Sequence, residues 1–213
     1  MPKRPWETVE AINLDAFDPH DFHEVMALRD ALFAMAEVLE MTVGQKAADA
    51  AFAALLGRPF RRDWIPDPDW RNALRGIQAD RLATWPIVPR LHALRQYALF
   101  GRVTVNCDAQ YKGRAIRAVI RAVEPFVAQA SEFWELDRAK EWLVAAQARR
   151  TLKEKHPISI EALALIGGVQ LRHVKNQISK GKIKLNNARP RQVPRREALK
   201  WLETCRRYYP SEA

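Results

Sequence analysis

The sequence predicts a mainly α-helical protein in which a helical N-terminal domain precedes a small C-terminal domain of short helices. Apolar residues between Asp21 and Met41 recur mostly at steps of three and four, the spacing that gives a helix one apolar face. Breaks at Gly57, Pro86 and Gly101 then divide the chain into segments of ordinary helix length. With 48% hydrophobic residues, the chain has enough apolar side chains to bury a core, which excludes a disordered protein.

The compartment follows from what the sequence does not contain. No apolar stretch approaches the roughly 18 residues of a membrane-spanning helix, and no apolar signal segment follows the opening residues. Cys107 and Cys205 lie far apart, without the spacing of a disulfide framework or a zinc ribbon. We therefore expect a cytoplasmic protein with two free thiols and no membrane partner.

The first part of the chain is predicted to form an irregular arm and then helices. Three prolines leave residues 1–20 without a sustained period, which indicates the arm. Helices are expected over residues 21–41, over residues 42–56 with Thr42 as the cap, and over residues 70–84 after a loop rich in proline and aspartate.

Further helices are predicted up to the C-terminal domain. A helix over residues 90–100 should end at Gly101, and Val103–Val105 could form a short extended piece. A helix from the cap Asp108 through Val123 should be interrupted at Pro125. The predicted domains are a helical dimerisation or partner-binding domain over 21–134, a connecting helix over 135–156 that is rich in Ala, Glu, Lys and Arg, and a C-terminal domain over 157–213.

The positive charge is concentrated near the C-terminus. The chain carries a formal charge of +10, and residues 151–213 hold 14 Lys and Arg against five Glu, a net charge of +9. Residues 1–150 hold 21 basic and 20 acidic residues, a net charge of +1. A basic segment of this kind attracts phosphates and speeds the encounter with a polyanion.

The C-terminal segment begins with a pattern of two short helices around a glycine turn. Ser159 is a plausible cap for the first helix, and Ala164 is small enough to let a second helix cross closely. Gly168 supplies the backbone freedom for a sharp turn, and Val169 would fill the junction between the two helices.

The second of these helices has one apolar side and one polar side. Leu171, Val174 and Ile178 fall at i, i+3 and i+7, so they form a stripe that can pack on the first helix. Arginine can donate two hydrogen bonds to guanine and asparagine can pair with adenine, whereas lysine and serine suit phosphate oxygens. The pattern therefore favours a helix that reads the major groove of DNA. Its candidate contacts are Arg172, His173, Lys175, Asn176, Ser179 and Lys180.

A basic hairpin is predicted to follow. Gly181 should end the helix, Ile183 and Leu185 alternate with lysines as in a short strand, and Gln192 and Val193 should form the returning strand around a loop over residues 186–191. Pro194 suits the start of a third helix, in which Trp201 is expected to lie in the core. The side chains placed to touch a phosphate backbone or the minor groove are Lys182, Lys184, Arg189 and Arg191.

In this order the residues resemble the excisionase and MerR-like winged helix-turn-helix domains. The resemblance covers the last quarter of the chain: Ser159 to Val169, then Val174-x-x-x-Ile178-x-x-Gly181-x-Ile183, then Val193 to Leu202. It implies DNA binding through the second helix and the wing, at Arg172, His173, Lys175, Asn176, Lys182 and Lys184. Gln170 departs from the family, which often has Ser or Thr as the helix cap there.

We therefore expect a sequence-specific protein for double-stranded DNA, either a transcriptional regulator or a mobile-element accessory factor. One short helix contacts only a few base pairs, so a homodimer through the N-terminal helical domain is expected. Two alternatives are a protein-interaction adaptor that uses the winged domain and a nucleic-acid enzyme with an unrecognised N-terminal site.

Evidence for catalysis in the sequence is weak. Asp18, His20, Asp21 and His23 could supply metal ligands, but their spacing is not a recognised one. No phosphate loop, nucleotide-binding glycine fingerprint or nucleophile elbow is present. We therefore expect no catalytic residue, no cofactor and no metal.

Overall fold

The computed structural model describes residues 35, 38–56, 85–130, 137–187 and 189–212. Over these residues the protein is mainly helical, as the sequence predicts. The predicted arm over residues 1–20 and the predicted helix over residues 70–84 lie outside this part of the chain, together with most of the helix expected over residues 21–41.

The helices follow the predicted order with shifted ends. They are α1 (Gln45–Leu56), α2 (Ile87–Phe100), α3 (Lys112–Ala130), α4 (Asp137–Lys153), α5 (Ile160–Gly167), α6 (Leu171–Ser179) and α7 (Arg195–Leu202). Gly44, in the left-handed region at φ 78°, separates α1 from helical residues 38–43. The Thr42 hydroxyl donates to the carbonyl of Val38 (2.6 Å) in the preceding turn, so the prediction that Thr42 begins α1 is wrong.

Helix α2 begins three residues earlier than predicted and ends where predicted. Pro86 occupies its N-cap and Pro89 its first turn, where a proline is tolerated because an N–H there has no partner within the helix. Gly101 ends the helix at φ 68°, and its N–H donates to the carbonyl of Tyr97 (3.0 Å). Within the expected extended piece Val103–Val105, both valines are buried and Val105 forms an isolated β-bridge.

Helix α3 continues through Pro125, so the predicted interruption there is wrong. The proline ring faces solvent, whereas Ile120, Val123 and Val127 on the other side of the helix are buried. This apolar face packs on both sides of the proline, and its burial offsets the hydrogen bond that the missing N–H cannot make. The side chain of Asp108, the expected cap, makes no capping bond; a 3-10 turn, Ala109–Tyr111, lies between it and α3.

Helix α4, predicted as a connecting helix, packs against α2, α3 and α5. Its buried residues include Ala139, Trp142, Ala146 and Leu152. The buried side chains from α2 to α7 belong to one continuous hydrophobic cluster, so α4 contributes to the core as well as linking its neighbours. The boundary expected after residue 156 stays a prediction.

Arg149 is the largest side chain that is fully buried in the described part of the chain, at 2% exposure. Its Nε donates to the carbonyl of Ala98 (2.8 Å), and its two terminal nitrogens donate to the carbonyls of Leu99 (3.1 Å) and Tyr209 (2.6 Å). The guanidinium also lies 5.5 Å from the ring centre of Tyr208. Burial lowers the pKa of Arg149 below its ordinary value. One side chain thus joins α4, the end of α2 and the segment after α7.

Residues 208–212 lie across the end of α2. The N–H of Glu212 donates to the carbonyl of Gly101 (2.9 Å), and Ser211 accepts a bond from Arg149 (3.3 Å). A Cβ added to Gly101 would meet the carbonyl of Pro210 and lie 2.9 Å from the Cα of Ser211. Only glycine leaves room for this backbone crossing.

We predict that Arg149→Lys destabilises the protein by about 3 kcal/mol, because an ammonium cannot bond all the carbonyls that the guanidinium satisfies. Arg150→Lys is the matched control: Arg150 forms a partly exposed pair with Glu154, and its replacement should cost less than about 0.5 kcal/mol. Urea unfolding of both variants measures the difference. Equal losses in the two variants would contradict the role given to Arg149.

Acid is expected to loosen the segment over residues 208–212. The hydrogen bond from Lys112 (3.0 Å), helped by the N–H of Val103, lowers the pKa of the Glu212 carboxyl below its ordinary value of 4.5. Because this pKa is depressed by folding, the stabilisation is present above pH 4.5 and is lost as the pH falls through the depressed value.

Glu212→Gln should therefore be less stable than the wild type at neutral pH, by roughly 0.5 kcal/mol because the pair is partly exposed. The gap should close in acid, where the wild-type carboxyl is protonated. Urea unfolding at neutral pH and near pH 3 measures both gaps. A gap that is the same at both values would show that the carboxylate charge does not act here.

Candidate nucleic-acid interface

Helices α5 and α6 are joined by a turn of three residues and form the frame of the candidate site. The Ser159 hydroxyl accepts a hydrogen bond from the N–H of Ala162 (3.1 Å), which confirms the predicted cap of α5. Gly168 ends α5 in the left-handed region at φ 62°, as the predicted sharp turn requires. Ala164 is buried, and the side chain of Gln170 makes no capping bond to α6. The first helix is therefore fixed by its cap, and the second by packing.

The apolar stripe of α6 faces the core. Val174 has no exposed surface, and Leu171 and Ile178 are partly buried against the same cluster. This burial fixes the rotation of the helix about its axis.

The polar side of α6 is open to solvent. Neither Arg172 nor Asn176 has its side chain hydrogen-bonded to another described residue, and the Ser179 hydroxyl donates to the carbonyl of Asn176 (3.0 Å). Two donor-rich side chains are therefore free to meet a ligand. The exposed members of the predicted set on this helix and at its end are Arg172, His173, Lys175, Asn176, Ser179 and Lys180.

His173 is placed differently from its neighbours. Its ring centre lies 6.4 Å from that of Trp201 on α7, and its Nε2 lies 3.5 Å from the side-chain nitrogen of Gln177. The imidazole therefore borders α7 rather than standing free beside Arg172 and Asn176.

The segment between α6 and α7 is a closed loop without the predicted strands. The backbone of Val193 pairs with Ile158 in an antiparallel bridge (2.8 and 3.1 Å), and no strand forms over residues 183–185. Ile183 is buried and holds the start of the loop against the core. The predicted two-stranded wing is therefore not confirmed among the described residues, where no strand forms.

Two hydrogen bonds close the loop. The N–H of Asn186 donates to the carbonyl of Gln192 (2.9 Å), and the N–H of Gln192 donates to the side-chain oxygen of Asn186 (2.8 Å). The base of the loop is thus closed by one backbone bond and one bond to the Asn186 side chain, and no strand ladder forms there. Four basic side chains of the predicted set are exposed on it: Lys182, Lys184, Arg189 and Arg191.

Helix α7 packs on α5 and is joined to α4 by a hydrogen bond. Ala198, Trp201 and Leu202 are buried, which confirms the core position predicted for Trp201. A Cβ added to Gly167 would lie 3.0 Å from the Trp201 ring, so α5 and α7 approach as closely as a glycine permits. Arg195 donates from Nε to the carbonyl of Leu152 (2.8 Å) at the end of α4. Sequence reasoning missed this hydrogen bond, since basic residues at the start of a helix are also typical of an exposed surface.

The site is strongly cationic. Within the described part of the chain, none of its lysines or arginines forms an ion pair with a carboxylate. The positive charge is therefore not neutralised internally and is available to an anionic partner.

The other predicted features give limited information. The cluster Asp18 to His23 lies outside the described residues, and the rest holds no group of three or more metal-ligating side chains. Cys107 and Cys205 are free, and burial raises the pKa of both thiols. Among the described helices, none has the length and apolar character to cross a membrane.

Comparisons with protein-family models, curated proteins and solved structures find no match to this chain. Its function is therefore inferred from the side chains and their arrangement.

We predict that Gly168→Ala destabilises the protein more than Gly181→Ala. Both glycines adopt the left-handed conformation, at φ 62° and 70°, so an alanine at either position costs about 1–2 kcal/mol in backbone strain. A Cβ at Gly168 would also lie 3.0 Å from the Cβ of Arg207, whereas a Cβ at Gly181 meets no atom within 4 Å. Urea unfolding of both variants should show an extra loss of about 1 kcal/mol for Gly168→Ala. Equal losses would mean that residue 207 does not press on the turn.

Proposed function

We propose that the protein binds double-stranded DNA through residues 157–212 and does so sequence-specifically, as a transcriptional regulator or a mobile-element accessory factor. The observation that carries the proposal is the exposed polar face of α6, opposite a stripe of apolar anchors. An α-helix of this kind can enter the major groove and bring its side chains to the base edges.

The chemistry of that face supports base reading. The side chains of Arg172 and Asn176 are exposed and have no hydrogen-bond partner among the described residues. A guanidinium can bond the O6 and N7 of guanine, and a carboxamide can bond the N6 and N7 of adenine. Lys175 and Lys180 carry point charges better suited to phosphates. Base readers and backbone contacts are thus combined on one helix.

The loop after α6 supplies further phosphate contacts in this proposal. Lys182, Lys184, Arg189 and Arg191 are exposed, and the hydrogen bonds between Asn186 and Gln192 hold the loop closed. A closed loop loses less conformational entropy on binding than an open one. The role expected of a wing is assigned to this loop although it has no strands.

Base recognition also requires that α6 be held rigidly by the rest of the fold. Val174 fixes α6 on α5, and Arg195 joins the start of α7 to α4 through the Leu152 carbonyl (2.8 Å). Side chains on a helix that is held at several points keep the geometry that base discrimination requires.

We propose a homodimer formed through the N-terminal part. Helix α6 has nine residues and spans only a few base pairs, so pairing two copies would raise specificity. Met35, Met41 and Val43 are 50%, 80% and 52% exposed, which suits a surface that a second copy covers. A cytoplasmic location accords with the two free thiols.

Selection of bound duplexes from a random library tests the assignment of the reading face. Arg172→Ala or Asn176→Ala should relax the base preference at one or two positions, with a discrimination loss of about 1–3 kcal/mol per lost bidentate contact. Lys182→Gln and Lys184→Gln serve as matched variants: each should weaken all duplexes alike and reduce the salt dependence by about one unit. An unchanged preference in both α6 variants would overturn this choice of face. Absence of duplex binding by the wild type at low salt would overturn the function.

A further inference from the structure

Two clefts border the ring pair of His173 and Trp201, outside the reading face of α6. The first, of about 380 Å³, lies between the end of α6 and α7 and is lined by Lys182, Lys200 and Glu197. The second, of about 310 Å³, lies beside the turn between α5 and α6 and is lined by Arg206 and Arg207. His173, Trp201 and Thr204 line both clefts, so the two are neighbours along one side of α7.

We propose that these clefts form one cationic track that takes the sugar-phosphate backbone of one DNA strand, with Lys200, Arg206 and Arg207 as further phosphate-binding residues. This inference rests on the proposed function and adds a binding surface to it. The three residues lie outside α6 and the loop that follows it, so they extend the interface onto a third part of the fold.

The charge of the track favours a polyanion. Four permanent cations line it, namely Lys182, Lys200, Arg206 and Arg207, and all four are exposed. Glu197 is the one carboxylate among the lining residues, and it belongs to the first cleft alone. A backbone that passes both clefts therefore meets an excess of positive charge along its path.

The second cleft is fixed by the packing of the segment after α7. Arg149 holds the Tyr209 carbonyl (2.6 Å), and the N–H of Tyr208 donates to the carbonyl of Cys205 (3.1 Å). The side chain of Arg207 lies over Gly168, where an added Cβ would come within 3.0 Å of it. Arg206 and Arg207 are therefore held beside the turn that leads into α6 and are not part of a loose basic tail.

The two-cleft arrangement favours a nucleic-acid strand over a small anion. Neighbouring clefts that share a wall place cations in succession, as the regularly spaced phosphates of a strand require. The wall between them, formed by His173 and Trp201, adjoins α6, so a strand in the track would run next to the groove that α6 enters. Phosphate contacts at this place would fix the register of α6 without reading sequence.

The test measures binding of the full chain to a labelled mixed-sequence duplex of about 25 base pairs by fluorescence anisotropy, over salt concentrations from about 50 to 300 mM. Lys200→Gln/Arg206→Gln should bind at least tenfold more weakly at low salt. Two lost phosphate contacts should also make the slope of log affinity against log salt shallower by about 1.8. The matched control is Lys46→Gln/Lys153→Gln, which removes two exposed cations from α1 and α4 and should leave the slope unchanged.

The outcomes separate this inference from the function on which it rests. If the wild type binds duplexes, and Arg172→Ala changes the base preference while Lys200→Gln/Arg206→Gln behaves like the control, the track is overturned and the function stands. If the wild type ignores duplexes, both fail. Polyglutamate as a competitor identifies an acidic protein as the alternative occupant: the track is also overturned if Lys200→Gln/Arg206→Gln loses polyglutamate binding but keeps its affinity for DNA. Thermal unfolding of the variant, which alters exposed side chains only, should match the wild type.

Discussion

The constraint on which the structure depends is the burial of one guanidinium among main-chain carbonyls. Removing Arg149 from water is costly, and the cost is met only because Ala98, Leu99 and Tyr209 present their carbonyl oxygens to it at hydrogen-bond distance. Two of these carbonyls lie at the end of α2, and the third lies in the segment after α7. The hydrogen bonds of Arg149 can all form only when both of these segments are packed against α4, so they couple the folding of α4 to the packing of the complete core.

The proposed DNA interface is held in a fixed geometry by its contacts with that core. Helix α4 carries Arg149 towards the segment after α7 and accepts Arg195 at its last turn, so the two ends of the α7 region are attached to the same helix. Helix α6 is held from one side by Val174 and bordered on another by the ring of Trp201. A short helix that would be unstable in isolation is in this way given one orientation, which a reader of base edges needs.

Much of the fold is visible in the sequence, because caps and periodic stripes act over a few residues. Ser159, Gly168 and the stripe through Val174 are such local signals, and the structure confirms each of them. The failures have non-local causes. Pro125 predicts a break in the helix, but the burial of Val123 and Val127 on the other side keeps α3 continuous. Val193 is predicted to pair within a hairpin, whereas its backbone hydrogen bonds go to Ile158 ahead of α5. From the sequence, Arg149 is indistinguishable from the solvent-exposed cations of a charged helix. Its three carbonyl acceptors are distant in the sequence, so no neighbouring residue predicts them. The exposed polar residues of α6 could be predicted because helical periodicity is a local signal. The position of His173 against Trp201 could not, because it depends on how α7 packs.

The contacts of Arg149 have a consequence for how this protein can diverge. The bonds end on backbone oxygens, which every amino acid supplies, so the bonds themselves do not depend on the identity of residues 98, 99 and 209. Among related chains, the arginine would then be retained while its partners drift. Methods that infer proximity from correlated substitutions would detect no pairing there. In an alignment, this contact would be recorded only by the invariance of Arg149 and of Gly101, the glycine that lets the terminal segment cross.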